Sequence, residues 1–171
     1  YDGTQTFADY FPVAKSFFTT GNSIASAYSD MRLTNFDIYA DISIDTSFGS
    51  NQWIICTPEG YSAPVYQNND EGLLIGYYNN VFAVAGASLG GYGLYGTTTV
   101  TSGTTYTVRV NKTGTSVKLY INGVMEASSS SGASTCWISH LIVGRALGNN
   151  VAGYATSNIF KGTVSNLRIN C

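Results

Sequence analysis

The stretch Phe36-Asp37-Ile38-Tyr39-Ala40-Asp41-Ile42-Ser43-Ile44-Asp45 decides how the rest of this 171-residue chain is interpreted. Apolar residues occupy every second position, and polar residues, with a tyrosine among them, fill the positions between. Successive side chains of a β-strand lie on opposite faces, so this period of two predicts a strand with one buried face and one wet face.

The same alternation recurs in two later segments that a short loop joins. Residues 106–110 and 117–121 are predicted strands, and Lys112-Thr113-Gly114 is the predicted hairpin loop between them, because glycine readily takes a positive φ. Asn122-Gly123 is typical of a type I′ turn and should return residues 124–127 as an antiparallel strand.

Further predicted strands cover residues 52–57, 73–78, 81–85, 139–144 and 160–170, and no segment shows a helical stripe. In the last of these strands the apolar phase slips between Val164 and Leu167, which predicts a β-bulge. Many short strands separated by Gly, Asn and Ser turns are typical of an all-β fold, a two-sheet antiparallel β-sandwich or jelly roll. We expect a single domain over residues 1–171, because the serine-rich segment 128–132 is too short for a domain linker.

Composition and charge narrow the classes of partner. Gly, Ser, Thr and Asn make up 71 of the 171 residues, only 11% of residues are charged, and the net charge is −2. Such a chain lacks the basic footprint of a nucleic-acid-binding protein, and no apolar run approaches the roughly 20 residues of a membrane span. Residues 1–71 carry −7 and residues 72–171 carry +5. This asymmetry reflects chance or, if the two halves stay apart in space, a two-part electrostatic surface.

The first residue is Tyr1 rather than Met. We therefore expect a processed mature protein or a domain excised from a longer one, with an extracellular location, whether secreted, on a cell surface or on a virion.

An ordered series of short motifs follows the predicted hairpin strand at 106–110. It consists of Leu119-Tyr120-Ile121-Asn122-Gly123, Leu141-Ile142-Val143-Gly144, Phe160-Lys161-Gly162-Thr163-Val164 and Leu167-Arg168-Ile169. This series resembles the laminin-G-like domains of the concanavalin A-like lectin/glucanase superfamily. The resemblance implies a two-sheet jelly roll whose members mostly bind glycans or proteins outside cells. The matching positions belong to the framework of the fold, so the resemblance alone does not fix a function.

Glycoside hydrolysis is the enzymatic activity that the superfamily raises. Its glucanases carry an ExDxxE pattern, which this chain lacks. The catalytic carboxyls of glycosidases lie about 5–9.5 Å apart, whereas Asp37, Asp41 and Asp45 are spaced by four strand residues, roughly 13 Å. We interpret these aspartates as a solvated strand face. His140 is the one histidine and no His/Cys cluster has the spacing of a zinc site, so we expect no enzyme.

The aromatic residues give the strongest functional hint. Tyrosine rings stack on the C–H faces of sugars, and Asn, Asp and Gly groups bind the hydroxyls; rigid exposed tyrosines are good binding anchors. We predict a carbohydrate site on a rim of loops. Tyr92 and Tyr95 would supply the stacking faces, and Asp70, Asn149 and Asn150 the hydrogen bonds. The alternative for each tyrosine is a packed ring with an exposed hydroxyl.

The resemblance also implies calcium as a candidate cofactor, because related lectin-like domains often bind it through loop Asp, Asn and carbonyl oxygens. Asp70 and Asn69 have the right ligand types, although a plain polar turn explains them as well. The three cysteines allow three pairings, and their spacing does not choose one. The resemblance favours a disulfide between Cys136 and Cys171, leaving Cys56 as a buried thiol. Asn111-Lys112-Thr113, the single N-x-S/T sequon, predicts an exposed Asn111.

Two hypotheses for function follow. The first is a non-enzymatic recognition module that binds a glycan or glycoprotein through rim loops. The second is a structural or adhesive β-sandwich domain, for example a virion decoration, tail-fibre or cell-surface domain, acting through protein–protein contacts. An exposed apolar patch would favour the second hypothesis. Neither involves nucleic acid or membrane insertion, and the oligomeric state stays open.

Overall fold

The computed structural model describes residues 16–20, 25–48, 51–57, 73–86, 93–132, 136–144 and 160–170. These residues form twelve strands and one 3₁₀ turn, Thr46–Phe48. The strands are β1 Ser16–Thr20, β2 Ala25–Leu33, β3 Asn35–Ile44, β4 Asn51–Thr57, β5 Leu73–Tyr78, β6 Val81–Ala85, β7 Leu94–Tyr95, β8 Thr105–Thr113, β9 Ser116–Ile121, β10 Val124–Ser129, β11 Cys136–Val143 and β12 Lys161–Asn170.

The strands build two six-stranded antiparallel sheets. Sheet A has the order β1-β12-β3-β8-β9-β10 and sheet B the order β2-β11-β4-β5-β6-β7. Buried side chains of both sheets meet in one hydrophobic cluster between them. The predicted all-β sandwich is therefore confirmed.

Strand β3 shows how the sequence pattern produces this packing. Its apolar positions 36, 38, 40, 42 and 44 are all at most 3% exposed, and the residues between them are partly exposed. Burying one such large apolar side chain contributes about 1.5–3 kcal/mol, so the alternation fixes which face of β3 joins the core.

Tight turns and one bulge set the register. Asn122 and Gly123 both have positive φ, 50° and 83°, as the predicted type I′ turn requires. Asn79 and Asn80 make the turn between β5 and β6 with φ of 46° and 72°, and no glycine is needed because asparagine tolerates this region. The register of β12 against β3 shifts between Ser165 and Arg168, which confirms the predicted bulge.

Lys112 corrects the sequence prediction. It was assigned to a hairpin loop, but β8 continues to Thr113 and the turn lies at residues 114–115. The Lys112 side chain is fully buried, and its Nζ donates hydrogen bonds to the carbonyl oxygens of Thr34 and Gly114. Burial lowers the pKa of Lys112. Pairing of Asn35 with Thr113 prolongs the ladder, and period two then places Lys112 on the inner face.

Gln52 connects the two sheets through the core. This fully buried residue of β4 in sheet B donates from Nε2 to the Asp45 carbonyl oxygen at 2.8 Å. Its Oε1 accepts the backbone N–H of Lys161, in sheet A, at 2.9 Å. One amide thus binds two backbone groups at the end of β3 and the start of β12.

The acidic and basic halves of the sequence interleave in space. Strand β3, from the acidic half, lies between β12 and β8, and β4 lies between β11 and β5. Among the described residues, the two halves therefore do not form separate acidic and basic surfaces. In the part of the chain that the structure describes, no helix has the length and hydropathy of a membrane crossing.

Candidate functional site

A row of side chains crosses the outer face of sheet A at right angles to its strands. Register places its members directly opposite one another, one on each of five strands: Arg168, Tyr39, Arg109, Tyr120 and Met125. We call this set the tyrosine–arginine row. Four strand spacings of about 4.8 Å give it a length of about 19 Å.

The sequence places these residues outward by the same alternation that fills the core. In β8 and β9 the neighbours of Arg109 and Tyr120 are buried, whereas Arg109 and Tyr120 themselves are partly exposed. Tyr39 follows the same rule in β3. The row therefore lies on the solvent-exposed face of strands whose opposite face forms the core.

Arg109 contacts groups on both flanking strands. Its Nε and Nη2 donate to Oδ1 and Oδ2 of Asp37 at 2.8 and 3.2 Å, a two-point ion pair between β8 and β3. Its Cζ lies 5.1 Å from the ring centre of Tyr39 and 4.8 Å from that of Tyr120. The hydrogen bonds to Asp37 raise the pKa of Arg109, so the guanidinium is charged at any physiological pH. A cation between rings on both flanking strands is held in place before any ligand arrives.

Further hydrogen-bonding groups lie beside the row. Asp41 accepts from Thr107 Oγ1 at 2.8 Å and from Asn166 Nδ2 at 2.6 Å. Asn166 belongs to the bulge of β12 and has a positive φ of 51°, which brings its amide within reach of Asp41. Asn111 lies between Asp37 and Lys118 in the register and is partly exposed, as the sequence predicted.

The three aspartates of β3 and its end each have separate partners. Asp37 pairs with Arg109, and Asp41 binds Thr107 and Asn166. Asp45 pairs with Lys161 at 3.2 Å and accepts from Ser47, and these hydrogen bonds lower its pKa. The expected solvated face is thus a network of paired groups.

Tyr95 is the one residue of the predicted rim site that lies among the described residues. Tyr95 is 51% exposed on the short edge strand β7, and its ring centre lies 5.5 Å from that of Tyr78. Tyr92, Asn149, Asn150 and Asp70 lie outside the described residues, so the convergence of this site stays a prediction.

The edge that carries Tyr95 is tied to sheet A by Glu126 of β10. Its carboxylate accepts hydrogen bonds from the backbone N–H of Thr97 and of Thr98, at 2.8 and 3.0 Å, and from the Thr98 hydroxyl. Burial alone would raise the pKa of Glu126, but these hydrogen bonds together lower it.

The predicted metal and disulfide sites stay predictions. Asn69 and Asp70 lie outside the described residues, and among those described no three His, Cys, Asp or Glu side chains group in a way that could hold a metal. Cys136 is fully buried at the start of β11, while Cys171 and the side chains of Cys56 and His140 lie outside the description.

The sequence reasoning missed Tyr39, Arg109 and Tyr120 as a unit. Each stood in an alternating strand and was assigned to its wet face, but nothing in a single strand shows which residues lie opposite one another. The β8–β9 hairpin, which pairs Arg109 with Tyr120, is one signal that could have found them. The other is Tyr39 on the strand that flanks β8 on its opposite side.

No protein-family model and no curated protein matches the chain in sequence. Solved structures match it in fold. Domains LG4-5 of the mouse laminin alpha1 chain superpose with a TM-score of 0.65 and 16% identity. The match covers 90% of this chain and 40% of the LG4-5 chain. The CBM40 of the Ruminococcus gnavus IT-sialidase, bound to alpha2,3 sialyllactose, gives 0.61 and 14%, covering 91% and 90% of the two chains. A heptameric SAP-like pentraxin from Limulus polyphemus gives 0.59 and 12%, covering 90% and 74%. The chain therefore has the concanavalin-like jelly-roll fold of laminin G domains.

Proposed function

We propose that this protein is a non-enzymatic, extracellular carbohydrate-binding module whose ligand lies on the tyrosine–arginine row. The observation that carries the proposal is the Arg109 guanidinium, bonded to Asp37 and held between the rings of Tyr39 and Tyr120. Aromatic, cationic and acidic groups converge there on one partly exposed surface.

The row offers both kinds of contact that a saccharide needs. The rings of Tyr39 and Tyr120, which are partly exposed, present apolar surface to the C–H faces of a sugar. Arg109, Asp37 and Asn111 offer donors and acceptors for the sugar hydroxyls. Because these side chains are already fixed by one another, binding loses little side-chain entropy.

The fold comparisons support a binding module. One matching structure is a carbohydrate-binding module with a bound sialyllactose, and another is a pair of laminin G domains. The partners of the aspartates argue in the same direction, since Asp37 and Asp41 are engaged with other side chains and separated by four strand residues. A glycosidase needs two carboxyls about 5–9.5 Å apart, free to act on the glycosidic bond.

The rim site is a second candidate for the same function, because Tyr95 is half-exposed beside Tyr78. Protein–protein contact is the rival function, and it is favoured by the exposed apolar side chains Val124 and Met125 at 65% and 52%. Both residues lie on the edge strand β10, so a partner strand could reach them.

A glycan array with site variants tests these alternatives. We expect the wild-type chain to bind, Tyr120→Ala to lose binding at least about tenfold, and Tyr95→Ala, a matched tyrosine outside the row, to bind normally. Loss on Tyr95→Ala alone would place the site on the rim. A parallel array with a chelator tests the calcium prediction. Absence of binding to every glycan at high protein concentration would contradict the proposal and favour protein–protein contact.

A further inference from the structure

The guanidinium of Arg109 has hydrogen-bonding capacity left over. An arginine carries five N–H donors in a planar fork. Asp37 takes up Nε and one position on Nη2, and among the described residues no atom accepts from Nη1. The side chain is 33% exposed, so a ligand can reach it from solvent.

The surroundings limit which N–H groups of Arg109 a ligand can use. The rings of Tyr39 and Tyr120 flank the guanidinium on the two neighbouring strands, and Asp37 takes up its Nε side. The N–H groups that remain for a ligand are those on Nη1 and the second one on Nη2. Two adjacent ligand oxygens match two parallel N–H bonds of a guanidinium.

The charges around Arg109 determine which pair of ligand oxygens fits the fork. Five charged side chains lie in or beside the row: Asp37, Asp41, Arg109, Lys118 and Arg168. Asp37 balances Arg109, so the centre of the row is neutral. Lys118 lies diagonally across from Arg109, about 7–8 Å away, and Arg168 lies two strands from it, about 10 Å. Both are farther from the fork than the Asp37 carboxylate, whose Oδ1 is 2.8 Å from Arg109 Nε, so an acidic ligand group at the fork would first meet the repulsion of Asp37.

A hydroxyl group fits both partners because it donates and accepts. Asp37 accepts a hydrogen bond and Arg109 donates one, so two neighbouring hydroxyls can each use both capacities. We propose that Arg109 and Asp37 form a fork that recognises two adjacent hydroxyls of a neutral sugar. This inference rests on the proposed function and names the ligand class of its site.

Matched pairs of oligosaccharides test the fork. The probes are galacto- and gluco-oligosaccharides, each beside the corresponding uronic acid oligomer, measured by titration calorimetry. We expect the wild-type chain to bind at least one neutral member about tenfold more tightly than its acidic counterpart. Arg109→Lys, which keeps the charge but not the fork, should lose that binding at least about tenfold with an unchanged melting temperature. Asp37→Asn should narrow the gap between neutral and acidic members.

Asp45→Asn is the matched control, because it removes the acid of an ion pair with Lys161 at the end of β3 and should leave the preference unchanged. Stronger binding of an acidic member by the wild type, or full binding by Arg109→Lys, would overturn the fork while the proposed function stands. Binding of no oligosaccharide by any variant, together with an empty glycan array, would instead overturn the proposed function.

Discussion

Replacing Gln52 with methionine tests whether one buried amide joins the two sheets. Methionine has nearly the length of glutamine and fills the same space, but it neither donates to the Asp45 carbonyl nor accepts from the Lys161 N–H. The variant therefore removes two cross-sheet hydrogen bonds with little change in packing.

The magnitude follows from the burial of these groups. The two backbone groups are partly buried, so losing the Gln52 amide costs about 1–2 kcal/mol at each. The more apolar methionine recovers about 1 kcal/mol, which leaves a net loss near 2 kcal/mol. For a chain of this size, that loss lowers the melting temperature by about 4–8 °C.

Urea unfolding followed by tryptophan fluorescence measures the change. Asn170→Leu is the matched control, since it replaces an amide by an apolar side chain of similar size at an exposed position of β12 and should change stability by less than about 0.5 kcal/mol. Equal stability of Gln52→Met and the control would refute the cross-sheet bridge.

Gln52→Glu tests the direction in which stability changes with pH. When protonated, the carboxyl can still donate to Asp45 and accept from Lys161; when ionised, it places negative charge against the Asp45 carbonyl oxygen. We expect a raised pKa for this glutamate in the folded state, so its contribution is present below the unfolded pKa, about 4.3, and lost as pH rises through the folded value. A stability deficit relative to wild type that does not grow between pH 4 and pH 7, roughly that window, would contradict the geometry.

Three further outcomes follow from the packing. Glu126→Gln should lower the free energy of unfolding by about 1–2 kcal/mol at neutral pH. Because the folded pKa of Glu126 is lowered, the difference in stability from wild type should shrink as pH falls below the ordinary pKa of 4.5. A constant difference across this range would argue against the hydrogen bonds. Lys112 is fully buried and should resist an amine-acylating reagent that modifies the partly exposed Lys118. Peptide mass spectrometry measures the two modifications, and equal labelling in the folded protein would mean that Lys112 is accessible. Gly76→Ala should destabilise the chain by about 1–3 kcal/mol, because a methyl group there would come within 2.5 Å of the Trp53 ring and 2.7 Å of the Gln52 carbonyl oxygen. An unchanged melting temperature would contradict this close packing.

Strand assignment succeeded where period two and turn chemistry agreed. The hydrophobic alternation of β3 and the Asn122-Gly123 turn are local signals, and both predicted the observed structure. Lys112 was misplaced because lysine before Thr-Gly is typical of a loop, whereas a strand partner 76 residues earlier, Phe36, holds it in the ladder. At this position the pairing between distant strands overrides the local preference for a loop.

The candidate site was harder to predict for the same reason. Arg109 and Asp37 are separated by 72 residues, and nothing in either strand alone indicates a two-point ion pair. Tyr95 was found because an exposed aromatic between glycines is a local pattern. Tyr120 was assigned only to the framework because its motif is that of the fold.

The strand order has a consequence for how the chain reaches its final state. Strand β12 inserts between β1 and β3, and β11 inserts between β2 and β4, so late segments complete both sheets by separating early ones. During synthesis β3 can pair with β8 and β4 with β5, but the other edge of each of these apolar strands stays unpaired until the late segments emerge. The β8–β9–β10 meander needs only neighbouring residues and can form at once. Such long-range closure is slow, so we expect folding over milliseconds to seconds, with chaperones most useful before β11 and β12 arrive.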